Sequence, residues 1–127
     1  MDIIHKIKNA KIQSLDGING VKFNLDSLFE AIQEFNDEGA HFCTPDGNRP
    51  DKNSMISHAV DNMRVNEGYV VADISIFDTI PGKNINSLMS IFDSPYMSMS
   101  CKGNIKNRKF LHDIDIMGVS ISAPEQE

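Results

Sequence analysis

The chain has 127 residues, of which 40% are hydrophobic and 24% charged, and its formal net charge is −6. This length and balance predict one soluble globular domain with a core of its own. The acidic charge and the absence of Trp argue against a nucleic-acid surface, because phosphate binding needs clustered Lys and Arg and base stacking needs aromatic rings. No apolar run approaches the length of a membrane span, and no signal-peptide pattern is present, so we expect no membrane contact.

The first third of the chain predicts a strand region, a turn and a helix. Residues 3–15 are typical of a strand or strand pair, and DGING at 16–20 is a turn signal. NLDSLFEAIQEFNDEG then predicts a helix, with Asn24 or Asp26 as N-cap and Gly39 at its C-terminal end. Its expected core-facing stripe consists of Leu25, Leu28, Phe29, Ile32 and Phe35.

The middle of the chain predicts a loop and two strands. CTPDGNRPDKNS at 43–54 is rich in Pro, Gly, Asp and Asn, a composition typical of a polar loop. Residues 55–65 alternate as a strand does, EG at 67–68 is a turn, and YVVADISIF at 69–77 is a strong strand. The buried face of that strand is predicted to hold Val70, Ala72, Ile74 and Ile76.

The last third predicts a break at DTIPGKN and a helix over 83–92, with Ile85, Leu88, Met89 and Phe92 at helical spacing. A strand over 95–101, a basic loop at 102–109 (KGNIKNRK) and a final strand over 110–122 follow. In YMSMSCKG the alternation directs Ser98 and Ser100 to one face, and the opposite face is predicted to hold Met97, Met99 and Cys101.

The order of these elements predicts an α+β fold: a mostly antiparallel β-sheet or small barrel with two helices. We expect a single domain over residues 1–122 and a flexible C-terminal tail over 123–127. Neither Cys43 nor Cys101 belongs to a CxxC pair, so we expect free thiols, as in a cytosolic protein. The four histidines lack metal-ligand spacing, and we predict no metal and no cofactor.

Five segments, in order, resemble the head-maturation (prohead) proteases of tailed bacteriophages. NAKIQSLDGINGVKFNLDSLFEAI is similar to the early strand, turn and first helix of that family. TPDGNRPDKNSMISHAVDNMRVNEGYVVADISIFDT is similar to its Pro-Asp-Gly loop and the two strands after it. The matches for its second helix, its nucleophile strand and its closing strand are INSLMSIF, SMSCKG and DIDIMGVSISAP. The resemblance implies the fold that these proteases share with the herpesvirus assemblins, a β-barrel-like core with flanking helices.

The resemblance also implies a place for a serine nucleophile. Ser100 corresponds to the nucleophile of the family, and Lys102 and Gly103 follow it where the family has Arg and Gly. A serine nucleophile needs a base to take its proton and donors for the oxyanion, and the backbone N–H groups around Lys102 and Gly103 are the expected donors.

The expected base is absent from its place in the sequence. The family has its catalytic His directly before the Pro-Asp-Gly loop, where this chain has Thr44, and Thr cannot exchange a proton near neutral pH. His41, three residues upstream, is the first substitute and His58 the second; each is otherwise an ordinary surface or strand histidine. Candidates for a third member are Asp46, Asp61, Asp73 and Asp78, which the sequence does not rank.

The sequence therefore leaves three functions open. The first is a phage protease that uses Ser100 and His41 to process scaffold or capsid proteins. The second is a non-catalytic capsid-associated or assembly protein with the same fold, which the acidic charge and Thr44 favour. The third sets the resemblance aside and is a small acidic protein that inhibits a host system by binding another protein. We expect a protein partner, no nucleic acid, and a location in the host cytoplasm, within the procapsid or virion in the first two cases; the oligomeric state stays open.

Overall fold

The structure, a computed structural model, describes residues 1–92 and 95–123. The predicted tail falls mostly on 124–127, which lie outside the described residues, and the division at residue 122 stays a prediction. The described elements, in order, are β1 (Ile3–Ser14), β2 (Lys22–Phe23), α1 (Leu25–Asp37), β3 (His41–Cys43), a 3₁₀ turn (Asn53–Met55), β4 (His58–Asn66), β5 (Tyr69–Phe77), α2 (Ile80–Ile91), β6 (Tyr96–Lys106) and β7 (Phe110–Ser122).

The strands form two sheets that pack around one core. The first sheet has the order β1-β5-β4-β3 and is antiparallel throughout, and the second has the order β2-β7-β6. In the second sheet β6 and β7 form a long antiparallel hairpin, while the short β2 runs parallel to β7. The two sheets are open rather than closed into a barrel, so the α+β prediction is confirmed in its sheet form.

The core follows from the alternation of β5, whose inward side chains are all buried as predicted. Val70, Ala72, Ile74 and Ile76 are at most 1% exposed. They pack with buried side chains of α1 and of the second sheet, including Leu28, Met99, Val119 and Ile121. The buried apolar surface of both sheets therefore forms one cluster that fixes their relative position.

Helix α1 begins and ends where the sequence predicts, but its buried face differs. Asn24 caps it by accepting from the Ser27 N–H at 3.0 Å, and Gly39 follows its end with a φ of 84°. The buried positions are Leu28, Ala31, Ile32 and Phe35, whereas Leu25 and Phe29 are each 48% exposed. The predicted stripe was therefore wrong at these two residues: α1 packs on β7 and β4, and Ala31 is buried where Leu25 and Phe29 are not.

Three predicted boundaries are also wrong. Helix α2 begins at Ile80 instead of residue 83, since Thr79 accepts from the Gly82 N–H at 3.0 Å and Pro81 fits the first turn, where no N–H bond is needed. The strand predicted over 55–65 begins only at His58, after the 3₁₀ turn.

The third wrong boundary lies in the basic segment 102–109. Most of it is strand, because cross-strand pairing continues to Lys106 opposite Phe110. The true turn is shorter and has left-handed φ angles of 56° at Asn107 and 57° at Arg108, as tight hairpin turns require.

Candidate functional site

Ser100 lies in the middle of β6 and pairs with Gly118 on β7. Its neighbours follow the predicted alternation: Met99 is buried, and Met97 and Cys101 pack against the core. A Cβ placed on Gly47 would lie 3.1 Å from the Ser100 Cβ. The loop that contains the Pro-Asp-Gly motif therefore packs directly on the strand of Ser100.

That loop is a tight turn held to β7. The Thr44 N–H donates to the Asn48 carbonyl at 2.9 Å, and the Gly47 N–H donates to the Thr44 carbonyl at 2.9 Å. The Ile121 N–H donates to the Pro45 carbonyl at 2.9 Å, which fastens the turn to the second sheet. Thr44 is only 7% exposed, and its hydroxyl accepts from the Asn48 N–H at 3.3 Å. At the position where the resemblance expects a base, the side chain stabilises the turn.

Gly118 explains how β7 and the loop approach so closely. A Cβ on Gly118 would lie 2.6 Å from the Gly47 carbonyl oxygen and 2.7 Å from Cys43 Sγ. Any larger residue would displace backbone or a buried sulfur. A glycine inside a strand, as in MGVS, is a sequence signal for such an approach. Gly118 is therefore the sequence signal that indicates the approach of the loop to β7.

His58 is fully buried between the two sheets. Its Nε2 lies 2.6 Å from the Val119 carbonyl oxygen on β7, and its Nδ1 lies 2.7 Å from Ser57 Oγ. Because a carbonyl only accepts, Nε2 carries the proton, and the neutral ring then accepts the Ser57 hydroxyl proton at Nδ1. Burial lowers the pKa of His58 to about 4, although the bond to Val119 acts to raise it. His58 is therefore neutral. Both of its ring nitrogens are hydrogen-bonded, and the bond to Val119 links the two sheets.

His41 has a different environment at the end of α1. Its ring stacks on Phe35 with centroids 3.7 Å apart, and Nε2 lies 2.6 Å from the Phe35 carbonyl oxygen. The Glu38 carboxylate lies 3.8 Å from the same nitrogen and 3.7 Å from Arg49 Nη2.

These groups, with Asp115 on β7, line a narrow cleft. The cleft is small, with a volume of about 30 Å³, on the scale of one or two water molecules. Sequence reasoning missed Glu38, Arg49 and Asp115 because they come from three separate elements.

Neither of the two histidines is hydrogen-bonded to Ser100 in the described residues. Within residues 1–92 and 95–123, no hydrogen bond joins the Ser100 hydroxyl to an imidazole or to any other group. The nitrogens of His58 and the Nε2 of His41 are instead directed at main-chain carbonyls or at Ser57.

The expected oxyanion residues follow Ser100 along the exposed part of β6. Lys102 pairs with Asp115, its Nζ lying 4.0 Å from the carboxylate, and Gly103 lies at an irregularity between Lys102 and Asn104. The register of β6 against β7 shifts between Ser100 and Cys101 and again between Lys102 and Asn104, so the backbone from Ser100 to Gly103 is not regular strand.

The four candidate aspartates are dispersed. Asp46 is exposed in the loop, Asp78 pairs with Lys83 at 3.2 Å, and Asp61 lies opposite Asp73 across β4 and β5.

Asp73 has the richest contacts: it accepts from the Asn9 N–H and from Asn62 Nδ2, each at 3.1 Å, and lies near Lys8 and Arg64. Partial burial acts to raise the pKa of Asp73, but these bonds and charges outweigh it and lower the pKa. None of the four bonds a histidine in the described part of the chain.

The cysteines are free thiols, as predicted, and neither is activated. Burial raises the pKa of Cys43, although a bond with the Val119 backbone acts to lower it, and burial also raises the pKa of Cys101. Both therefore stay protonated near neutral pH, and a thiolate nucleophile is not available. In the described residues no three His, Cys, Asp or Glu side chains converge as a metal ion requires, and neither described helix has the length and apolar content to cross a membrane.

Comparison with solved structures gives a match over almost the whole chain. The structure is similar to the capsid assembly protease gp21 of bacteriophage T4, with a TM-score of 0.64 and 10% sequence identity. The alignment covers 95% of this chain and 92% of that chain. No protein-family model and no curated protein sequence matches the chain. At this identity the likeness shows the fold: this chain has the architecture of a capsid assembly protease.

Proposed function

We propose that the protein acts in phage capsid assembly by binding a capsid or scaffold protein, and that it does not hydrolyse peptide bonds. One observation carries this proposal: the Ser100 hydroxyl has no imidazole partner, while His41 Nε2 and His58 Nε2 lie 2.6 Å from main-chain carbonyls. Loss of the base of a serine triad costs several orders of magnitude in rate. The shared fold with a capsid assembly protease supports the setting, a procapsid assembled in the host cytoplasm.

The experiment asks whether Ser100 reacts when an imidazole is supplied. Wild-type protein and Thr44→His are incubated with a fluorophosphonate, a reagent that labels activated serines. We expect no labelling of the wild type and labelling of Thr44→His that disappears in Thr44→His/Ser100→Ala. Thr44→Gln is the matched control, since Gln is close to His in size and has no basic nitrogen. Labelling of the wild type that depends on Ser100 would overturn the proposal.

A binding function has its own test. Co-expression with the capsid protein should leave that protein uncleaved and should bring this chain into the sedimenting shells. Failure to co-sediment would argue against a capsid partner and would favour the remaining alternative, a small acidic inhibitor that binds a host protein.

A second candidate is a serine endopeptidase that uses Ser100 and His41, with oxyanion donors near Lys102 and Gly103. The observation in its favour is the His41–Glu38 pair at 3.8 Å, because a carboxylate that orients an imidazole is the second half of a triad. This function requires His41, whose Nε2 lies 2.6 Å from the Phe35 carbonyl oxygen, to form a hydrogen bond with Ser100 that it does not form in this conformation. Wild-type labelling that is lost in both Ser100→Ala and His41→Ala would establish it.

A further inference from the structure

The charge of this acidic chain is distributed unevenly. The end of the β6–β7 hairpin, residues 102–109, which we call the hairpin tip, carries no acidic residue and has four basic ones: Lys102, Lys106, Arg108 and Lys109. The whole chain has a net charge of −6, so the rest of the molecule is more acidic than this value. The tip is therefore a local positive surface on a negative protein.

The hairpin tip and the residue directly after it also expose apolar side chains. Ile105 is 59% exposed and Phe110 39% exposed. Within the chain, Lys102 and Lys106 lie 4.0 and 3.9 Å from carboxylates of β7. Arg108 and Lys109 form no ion pair with any described residue. The tip thus combines uncompensated charge with apolar groups, as a protein-binding surface does.

The outer surface of α1 has the opposite character. Residues 24–40 contain no Lys or Arg, and the helix exposes carboxylates at Asp26, Glu30, Glu34 and Asp37. None of these four pairs with a cation in residues 1–92 and 95–123; only Glu38, just past the helix, does so. Leu25 and Phe29, which are one helical turn apart and each 48% exposed, lie among the acidic residues.

These two surfaces adjoin each other in the fold. The Lys22 N–H donates to the Lys109 carbonyl at 2.8 Å, and the Asn24 N–H donates to the Leu111 carbonyl at 2.9 Å. Asn24 is also the N-cap of α1, so the helix begins where the hairpin tip leaves the body of the protein. The strand pairing of Lys22 and Phe23 with β7 holds the two surfaces at a fixed distance.

We propose that a second copy of this chain docks on this region, with the hairpin tip of each protomer on helix α1 of the other. Adjacent surfaces of opposite charge on one chain are self-complementary under a two-fold axis, so one operation satisfies both contacts at once. Arg108 and Lys109 then meet the carboxylates near Asp26 and Glu30. Ile105 and Phe110 are covered together with Leu25 and Phe29. This inference is independent of whether Ser100 is reactive.

The test uses charge reversal in two separate variants. The tip variant is Arg108→Glu/Lys109→Glu, and the helix variant is Asp26→Lys/Glu30→Lys. Sedimentation velocity should show a wild-type dimer that weakens as salt rises from ~0.05 M to ~0.5 M, since screening shortens the range of charges. In each variant alone, like charges meet at the interface, and we expect the dissociation constant to rise about tenfold or more.

The decisive measurement is the equimolar mixture of the two variants. In a two-fold dimer the acidic tip of one variant faces the basic helix of the other, and the unchanged tip and helix also match, so the mixture should associate again. Asp46→Lys/Asp51→Lys reverses two exposed charges elsewhere and should dimerise as the wild type does. Circular dichroism confirms that every variant is folded.

Four outcomes would overturn the proposal. A wild type that is monomeric at all concentrations has no such interface. A mixture that fails to associate removes the pairing of tip with helix. Open-ended polymers in place of dimers contradict the two-fold arrangement, and association that nuclease treatment abolishes would assign the tip to nucleic acid.

Discussion

His58 and His41 lie on neighbouring strands of one sheet, yet their imidazoles are used in different ways. His58 is sealed between two sheets, and both of its nitrogens are bonded. His41 lies at the rim of a cleft, stacked on Phe35 and close to Glu38 and Arg49. The difference shows that a histidine near the strand of Ser100 is not by its position a catalytic base. An imidazole must also have a ring nitrogen free to accept the serine proton. The imidazole of His58 stabilises the fold, whereas the Nδ1 of His41 has no hydrogen bond within the described residues.

The largest expected effect follows from removing the buried imidazole. His58→Ala leaves a cavity and removes the group bonded to the Val119 carbonyl and to the Ser57 hydroxyl, which retains its bond to the Cys43 carbonyl at 3.2 Å. We expect the free energy of unfolding to fall by about 3–4 kcal/mol in urea denaturation. His5→Ala, at an exposed position on β1, is the control and should change it little. If His58→Ala lowers the free energy of unfolding by less than ~1 kcal/mol, the bond between His58 and Val119 does not stabilise the packing of the two sheets.

The same histidine predicts a pH dependence of stability. The pKa of His58 is lowered to about 4 in the folded protein, against ~6.5 in an unfolded chain. Between these values the unfolded state binds the additional proton. The free energy of unfolding should therefore be highest above pH ~6.5, fall as the pH decreases, and level off below pH ~4, with a total loss of up to about 3 kcal/mol.

His58→Gln isolates this contribution from that of the carboxylates. Gln can donate to the Val119 carbonyl and does not titrate. The difference in the free energy of unfolding between wild type and His58→Gln should therefore narrow as the pH falls through this window. If the two free energies change in parallel with pH, the pH dependence does not come from His58.

A smaller effect is expected at the cleft. His41→Ala removes the stacking on Phe35 and the bond to its carbonyl, and we expect the free energy of unfolding to fall by about 1–2 kcal/mol. His41→Phe retains the stacking and should recover part of the loss. If His41→Ala destabilises as much as His58→Ala does, the contrast between a sealed and a rim histidine is wrong.

The smallest effect is expected at Ser100. Its hydroxyl has no hydrogen bond in the described structure, so Ser100→Ala should change the free energy of unfolding by less than about 0.5 kcal/mol. Ser57→Ala is the matched serine, because it removes the bond to His58 Nδ1, and it should cost about 1–2 kcal/mol. Thermal shift assays of the two variants would show whether the Ser100 hydroxyl is dispensable for the fold.

The sequence predicted what depends on local pattern. The alternation of Val70, Ala72, Ile74 and Ile76 gave β5, and Asn24 gave the start of α1. It missed what depends on distant residues. Leu25 and Phe29 fit a helical stripe, but only the position of β7 decides which side of α1 is covered. The basic residues of 102–109 suggested a loop, but pairing with 110–115 makes Lys102 and Lys106 part of strand β6.

Only the position of the candidate site in the chain could be predicted from the sequence. The segment around Ser100 was identified by its resemblance, and the structure sets it against the Gly47 loop. The partners of the histidines could not be predicted, because every residue has a main-chain carbonyl and the sequence does not show which one an imidazole nitrogen bonds. The Val119 carbonyl that holds His58 belongs to a strand 61 residues away.

The position of β7 in both the chain and the fold also has a consequence for the order of folding. β7 pairs with β2 and with β6, supplies the Val119 carbonyl to His58 and binds the Pro45 carbonyl. Until residues up to 122 have left the ribosome, β2 has no strand to join and the first sheet has nothing to close against. Contacts of such long sequence separation form slowly. In a nascent chain the loop of Gly47 and the strand of Ser100 therefore remain apart, and they come into contact in one of the last steps of folding.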